Sequence, residues 1–252
     1  MRKVLIIAAK TVLIALSLAT VGLLTFVGWL VWHYEYGVGL PTKAQLAAIA
    51  PTGPACSTDP KRNYILLADV PPLLRDTAIA LEQPDFYEAW SLNPLVEIAV
   101  AMSTGSSPGP AGVTQSVSRC LLLLSPETRR QIDPIASIIF MQRVIRSLSR
   151  DRIFEIYLNE NYLGRGAYGV VTAAEIYFGK RLPDLQIDEI AFLMMRARQP
   201  YPSRSFEARN RDYVIDRMQT ASLISEAQAT AAKNRPLPRM DIPGAQAQPI
   251  NQ

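Results

Sequence analysis

The chain has 252 residues, 49% of them apolar, and a formal net charge of +4. That is long enough for one sizeable domain with its own core. No Lys/Arg block stands out downstream of the N-terminus, which argues against a nucleic-acid partner; so mild a positive charge suits a surface that meets anionic lipid or pyrophosphate.

The first element is the N-terminus itself. After Arg2, Lys3 and Lys10, the stretch from Thr11 to Trp32 carries no charge over 22 residues, and roughly 20 suffice for a helix to cross a bilayer. Trp29, Trp32, Tyr34 and Tyr36 gather at its far end as an interfacial aromatic belt would. The basic residues mark the near end as cytoplasmic. A cleavable signal peptide would have a shorter apolar core and a small-x-small site, and WHYEYGVGLP offers none. Residues 1–37 are therefore expected to be a cytoplasmic N-terminus and a retained single-pass anchor in the inner membrane, with the rest facing the periplasm. Residues 38–63 are rich in Pro, Ala and small polar residues and predict a linker with at most one short helix. Cys56 and Cys120 would then meet an oxidising compartment. A bridge between them and two unpaired, space-filling thiols both remain open. Neither has metal-ligand spacing and the one histidine is His33, which argues against a His/Cys metal site.

From residue 64 to 236 the pattern is helical. PPLLRDTAIALEQ opens on prolines suited to a helix start and runs toward Pro84. Residues 93–102 predict a short apolar helix, and STGSSPGPAG (103–112) a lid or binding loop. Residues 134–149 are apolar around most of their circumference, as in a central buried helix. RIFEIYLNENYLG and VVTAAEIYFG stop at Gly164 and Gly179. EIAFLMMRARQ runs to Pro200, and FEARNRDYVIDRMQTA is amphipathic. Ser225 with Gln228 makes a capping box for the last helix, and residues 237–252 predict a disordered tail. No strand-period run, nucleotide-binding glycine loop or internal repeat is present. The expected fold class is all-α, and no cofactor is implied.

Within AIALEQPDFYEAW, Glu82 is the single carboxylate at the end of an apolar helix, two residues before Pro84. It is either a solvated helix end or an acid or base at the lip of a cleft.

DVPPLLRDTAIALEQPDFYE, IFEIYLNENYLGRGAYGVVTAAEIYFGK, DEIAFLMMRARQPYPSR and RNRDYVIDRMQ together resemble the bacterial peptidoglycan glycosyltransferases of family 51, the transglycosylase domains of penicillin-binding proteins and monofunctional transglycosylases. The resemblance spans about residues 64–236. It implies a lysozyme-like, mostly helical fold behind one membrane anchor. It also implies a lipid-linked disaccharide-peptide substrate, with cell-wall synthesis proteins as partners. The family's first motif is Glu-Asp followed by Phe, His and Gly, and its Glu acts as general base toward the acceptor hydroxyl. Such a base is typically worth about 10²–10⁴ in rate, and a Glu at an apolar helix end can have a suitably raised pKa. Glu82 and Phe86 match; the Asp is Gln83, the His falls on Ala89 or Trp90, and the Gly on Ser91.

The second motif, which resembles a loop and helix start gripping donor and pyrophosphate, keeps Thr114, Gln115 and Arg119 as candidate substrate-binding residues. Its Ser-Thr hydroxyls have become Ala111 and Gly112, the second Gln is Ser116 and the Asn is Cys120. Arg119 fits a phosphate fork or a solvated helix residue equally. In the third motif the Arg-Lys and its Glu fall on Asp133, Pro134 and Ser137, and a second catalytic Glu falls on Ile145. The loss does not depend on alignment, because no Glu occurs between Glu127 and Glu155. Arg143 and Arg146 either substitute there or lay their stems along an apolar helix. Gly164, Gly166, Gly169, Gly179, Tyr157, Leu158, Tyr168, Tyr177 and Phe178 are scaffold rather than chemistry.

Fold retained with chemistry stripped implies a degenerate transglycosylase that binds lipid-linked precursor or a cell-wall partner. Glu82 would then be vestigial, capping amides or meeting Arg119. The alternatives are a divergent enzyme that uses Glu82 as base, and a lysozyme-like hydrolase.

Overall fold

The computed structural model describes residues 2–56, 63–82, 84, 86–87, 112–122, 133–200 and 204–238, with residues 2–9 and 204–205 as backbone only. The expected helix at 93–102, most of the loop at 103–112 and the tail beyond residue 238 lie outside the described residues. Among the described residues there are ten α-helices: α1 (Arg2–Trp32), α2 (Lys43–Ala47), α3 (Pro72–Glu82), α4 (Val113–Leu122), α5 (Pro134–Ser147), α6 (Arg150–Glu160), α7 (Val170–Phe178), α8 (Ile187–Arg198), α9 (Arg204–Thr220) and α10 (Glu226–Lys233). Extended pairing is confined there to one isolated bridge, Tyr162 with Tyr168, so the described chain is all-α.

The helix ends follow local chemistry. Asp133 accepts the Ala136 amide at 2.9 Å and Pro134 follows it, so α5 starts where the cap and a fixed φ agree. Ser149 caps α6, and Ser225 with Gln228 forms the expected box before α10. Gly179 ends α7 in the left-handed conformation at φ 64°. Gly169 starts α7 at φ 78°, and a Cβ there would lie 2.5 Å from the Asn159 carbonyl oxygen. Only glycine lets that turn press onto the end of α6.

α1 stands apart from the core. Its described large apolar side chains, Val12 through Trp32, are mostly more than half exposed, and residues 10–37 make an apolar helix long enough to cross a membrane. Below it, Leu40 and Leu46 are buried in the same core as α3–α10. The described part of the stretch expected as a linker is thus built into the domain rather than hanging from it.

The helix enclosed on nearly every side is α6, not α5. Nine of its residues are buried, Arg152, Glu155, Asn159 and Glu160 among them. Arg152, Glu155, Asn159 and Glu160 are all met by the incoming chain. The Arg152 guanidinium donates to the Gly53 carbonyl at 2.7 Å and to Glu155 at 2.9 Å. Glu155 accepts the Tyr64 hydroxyl at 2.6 Å and the Leu67 amide at 2.9 Å. Asn159 exchanges two hydrogen bonds with the Ile65 backbone, and Glu160 accepts the amides of Ala55 and Cys56.

Arg143 differs from expectation. It is only 4% exposed, and its guanidinium pairs with Glu35 at 2.7 Å and donates to the Pro41 carbonyl at 2.7 Å. A buried guanidinium must find partners, and here they come from the segment joining anchor to domain. Arg146 is exposed.

Cys56 and Cys120 form a disulfide, Cα–Cα 5.7 Å, across 64 positions of sequence. A loop of that length is worth about 4 kcal/mol on the chain-entropy account. Cys56→Ser/Cys120→Ser, or the wild-type chain in excess dithiol, should therefore unfold at lower denaturant by about 2–4 kcal/mol. Equal unfolding midpoints with and without reductant would refute the bridge.

Candidate functional site

Three elements place Glu82. α3 buries Leu74, Thr77, Ala78 and Leu81, which sets the next residue at the helix end facing inward. Gly112, at the start of α4, holds φ 82°, and a Cβ there would lie 2.7 Å from the Glu82 carbonyl oxygen and 2.9 Å from Oε2. The expected loss of a hydroxyl at Gly112 thus coincides with a backbone that touches the carboxylate directly. From α6, Tyr157 brings a hydroxyl that is buried without a hydrogen-bond partner. The Glu82 side chain is 9% exposed, its Oε1 accepts no hydrogen bond, and the Arg198 Nε lies 3.6 Å away. The neighbouring turn is fixed by Arg217 of α9, which donates to the Ala80 carbonyl at 3.0 Å.

Electrostatics follow from this enclosure. Burial pushes the Glu82 carboxyl above its ordinary pKa, and the Arg198 charge pulls the other way. Burial raises the Tyr157 phenol well above its usual value, and the Glu82 charge adds to that. The cation at Glu82 is therefore Arg198, not Arg119 as the sequence suggested, and Oε1 caps no amide.

The second-motif residues do not converge. Thr114 is fully buried with its hydroxyl unpartnered, Gln115 is half-buried and Arg119 is exposed. Five residues at 100° each separate Thr114 from Arg119 by about 140° around the helix, so one inward face excludes the other. Thr114 and Ser118 share the inward face at i, i+4, and the Ser118 hydroxyl is also unpartnered. On α5, Ile145 and Ser137 are half-buried, and Asp133 is spent on the cap and on the Tyr34 hydroxyl at 3.5 Å. A cavity of about 60 Å³ lies between α4 and α6 beside Cys120, lined also by Ser116, Tyr157, Glu160 and Asn161. A larger groove of about 420 Å³ runs between residues 63–69 and the end of α7. Two of its charged lining groups are spent locally, Lys180 on Glu189 and Arg181 on Asp184.

Sequence reasoning missed Arg198 and treated Tyr157 as scaffold. The only signal was a pair of arginines in the last turn of an apolar helix, where they also suit the helix dipole.

The model of the transglycosylase family matches residues 50–220. The chain is 29% identical over 188 residues to penicillin-binding protein 1A of Aquifex aeolicus, covering 70% of this chain and 25% of that protein. It is 32% identical over 189 residues to penicillin-binding protein 1A of Haemophilus influenzae, covering 70% and 22%. The chain thus spans about a quarter of the length of the curated relatives it matches. A crystal structure of the Haemophilus influenzae protein aligns with TM-score 0.42 and 24% identity over 70% of this chain and 18% of that one, too loose a likeness to bear on the site.

A carboxyl with a raised folded-state pKa is less destabilising once protonated. Glu82→Gln should therefore be more stable than wild type at neutral pH. The gap should close as pH falls through the raised Glu82 pKa and vanish below the ordinary carboxylate range. Thermal unfolding of both proteins across pH checks this, and a gap that is constant with pH would refute it. Gly112→Ala should cost about 1–2 kcal/mol or more, from the left-handed φ together with the Glu82 contact, measured the same way.

Proposed function

Because the chain belongs to the transglycosylase family, we propose that it is a membrane-anchored, catalytically degenerate transglycosylase whose cleft binds lipid-linked precursor without polymerising it. The observation that carries this reading is the set of groups around Glu82. Among the described residues its charged neighbour is an arginine, and α5 can bring no second carboxylate because no Glu lies between Glu127 and Glu155. Glycosyl transfer from a diphosphate needs a base for the acceptor hydroxyl and preorganised charge for the departing diphosphate. Glu82 can supply the first. The basic pair expected for the second has become Asp133 and Pro134, and Asp133 is a helix cap. The apolar α1 supports attachment to the inner membrane, and Arg2, Lys3 and Lys10 at one end support a periplasmic domain.

The second reading is a divergent active enzyme. It is favoured by Glu82 itself, buried at a cleft with its proton affinity raised as a general base requires.

Purified full-length protein in detergent, mixed with labelled lipid-linked disaccharide-peptide, separates the two. We expect retention of the precursor in a binding assay and no glycan polymer on gels. Ile145→Glu should fold with some loss of stability and still make none, because groups that act as a unit are strongly non-additive. Polymer from the wild-type chain that disappears in Glu82→Gln would establish the active enzyme instead.

A further inference from the structure

The Glu82 carboxylate faces a residue to which none of the three catalytic motifs gives a role, although it lies in the family-like stretch DEIAFLMMRARQPYPSR. Glu82 is nine-tenths buried, yet its Oε1 accepts no hydrogen bond. A buried carboxylate without donors is expensive unless a cation stands close. Among the described residues the groups facing it are few. From α4 comes only the Gly112 backbone, and from α6 the unpartnered Tyr157 hydroxyl. From α9, Arg217 is occupied by the Ala80 carbonyl. From α8 comes Arg198, whose Nε stands 3.6 Å from Oε1.

Arg198 is poorly seated for a purely structural ion pair. It belongs to the last turn of α8, its side chain is 47% exposed, and the next residue, Gln199, already leaves helical geometry at φ −138°, ψ 86°. It meets Glu82 through a single nitrogen beyond hydrogen-bond range, so the guanidinium fork is not used. Two buried arginines of this chain behave otherwise: Arg152 and Arg143 each hold carbonyl and carboxylate partners at 2.7–2.9 Å. A half-exposed fork beside a buried carboxylate is suited to phosphate oxygens, which it can take in bidentate fashion at shorter distance.

We propose that Arg198 is the positioning residue of this site: it pairs with Glu82 before a ligand arrives, and passes its guanidinium to the diphosphate of an incoming lipid-linked ligand. The exchange breaks one ion pair and forms another, and Glu82, left between Tyr157 and Gly112, takes up one proton from solvent. This rests on the reading that the cleft takes a lipid diphosphate. It adds that ligand binding and the protonation of Glu82 are coupled through one side chain.

The test uses the full chain in detergent micelles with carboxyl-labelled glutamate, followed by carbon NMR across pH. Glu82 is identified by the signal missing in Glu82→Gln. Arg198→Gln should raise the Glu82 midpoint by about one pH unit or more, and Arg198→Lys should restore most of it. A long-chain polyprenyl diphosphate should raise the wild-type midpoint in the same direction, with proton uptake, and should leave the Arg198→Gln midpoint in place. An unmoved midpoint in Arg198→Gln overturns the proposal. Should that variant not fold, the Arg198→Lys and diphosphate arms decide alone, since both keep a cation at residue 198. Diphosphate binding that leaves the wild-type midpoint fixed overturns this proposal but spares the binding reading. No binding of the diphosphate at all overturns both.

Discussion

The hydrogen-bond ladder between α6 and residues 53–67 is the constraint from which the rest of the structure follows. Arg152, Glu155, Asn159 and Glu160 are buried on one helix, and buried charges left unpaired would cost several kcal/mol each. Their partners are backbone groups of Gly53, Ala55, Cys56, Ile65 and Leu67, with the Tyr64 hydroxyl. The chain leaving α1 must therefore run along α6 before it can begin α3. That path fixes where α3 starts, hence where it ends, and so where Glu82 points. It also brings Cys56 up to α4.

α5 shows how a helix can keep its place while its chemistry changes. Asp133 and Pro134 stand where the family's basic pair is expected, and together they make an efficient helix start. Arg143, further along, is turned toward Glu35 and the Pro41 carbonyl. Tyr34 reaches Asp133 from the same segment. Arg143, one of the two arginines of α5 that could have met a substrate, is thus spent on the segment that follows α1, while Arg146 stays exposed. This use of α5 is compatible with a protein that must be held at the membrane surface, and gives a physical reason why a Glu at residue 137 or 145 is not needed for folding.

Periodicity and punctuation made the architecture legible. The caps at Ser225 and Gln228, the left-handed stop at Gly179 and the long uncharged stretch before residue 33 each have a local cause that a sequence displays. The helix expected to be central was misjudged because apolar content stood in for burial: α6 carries four buried polar residues whose partners lie roughly 90 to 105 positions away, and no local pattern reveals them. The same limit hid Arg198. Glu82 was visible as an isolated carboxylate at a helix end. The arginine facing it comes from another helix more than a hundred residues later, among several arginines of like appearance. Arg119 was chosen for its motif position, and the turn of α4 that buries Thr114 carries it outward.

The disulfide has a topological meaning that its contribution to stability does not express. Cys56 and Cys120 close a covalent ring, and both Glu82 and Gly112 belong to it, whereas Tyr157, Arg198 and Arg217 lie on the open remainder of the chain. The surroundings of Glu82 are thus divided between a tethered half and a free half. Local fraying of α8 or α9 can carry the arginines away, yet the carboxylate and the glycine that presses on it stay within one loop. Such a protein can breathe on its cationic side alone, and it recovers the same carboxylate geometry each time it closes.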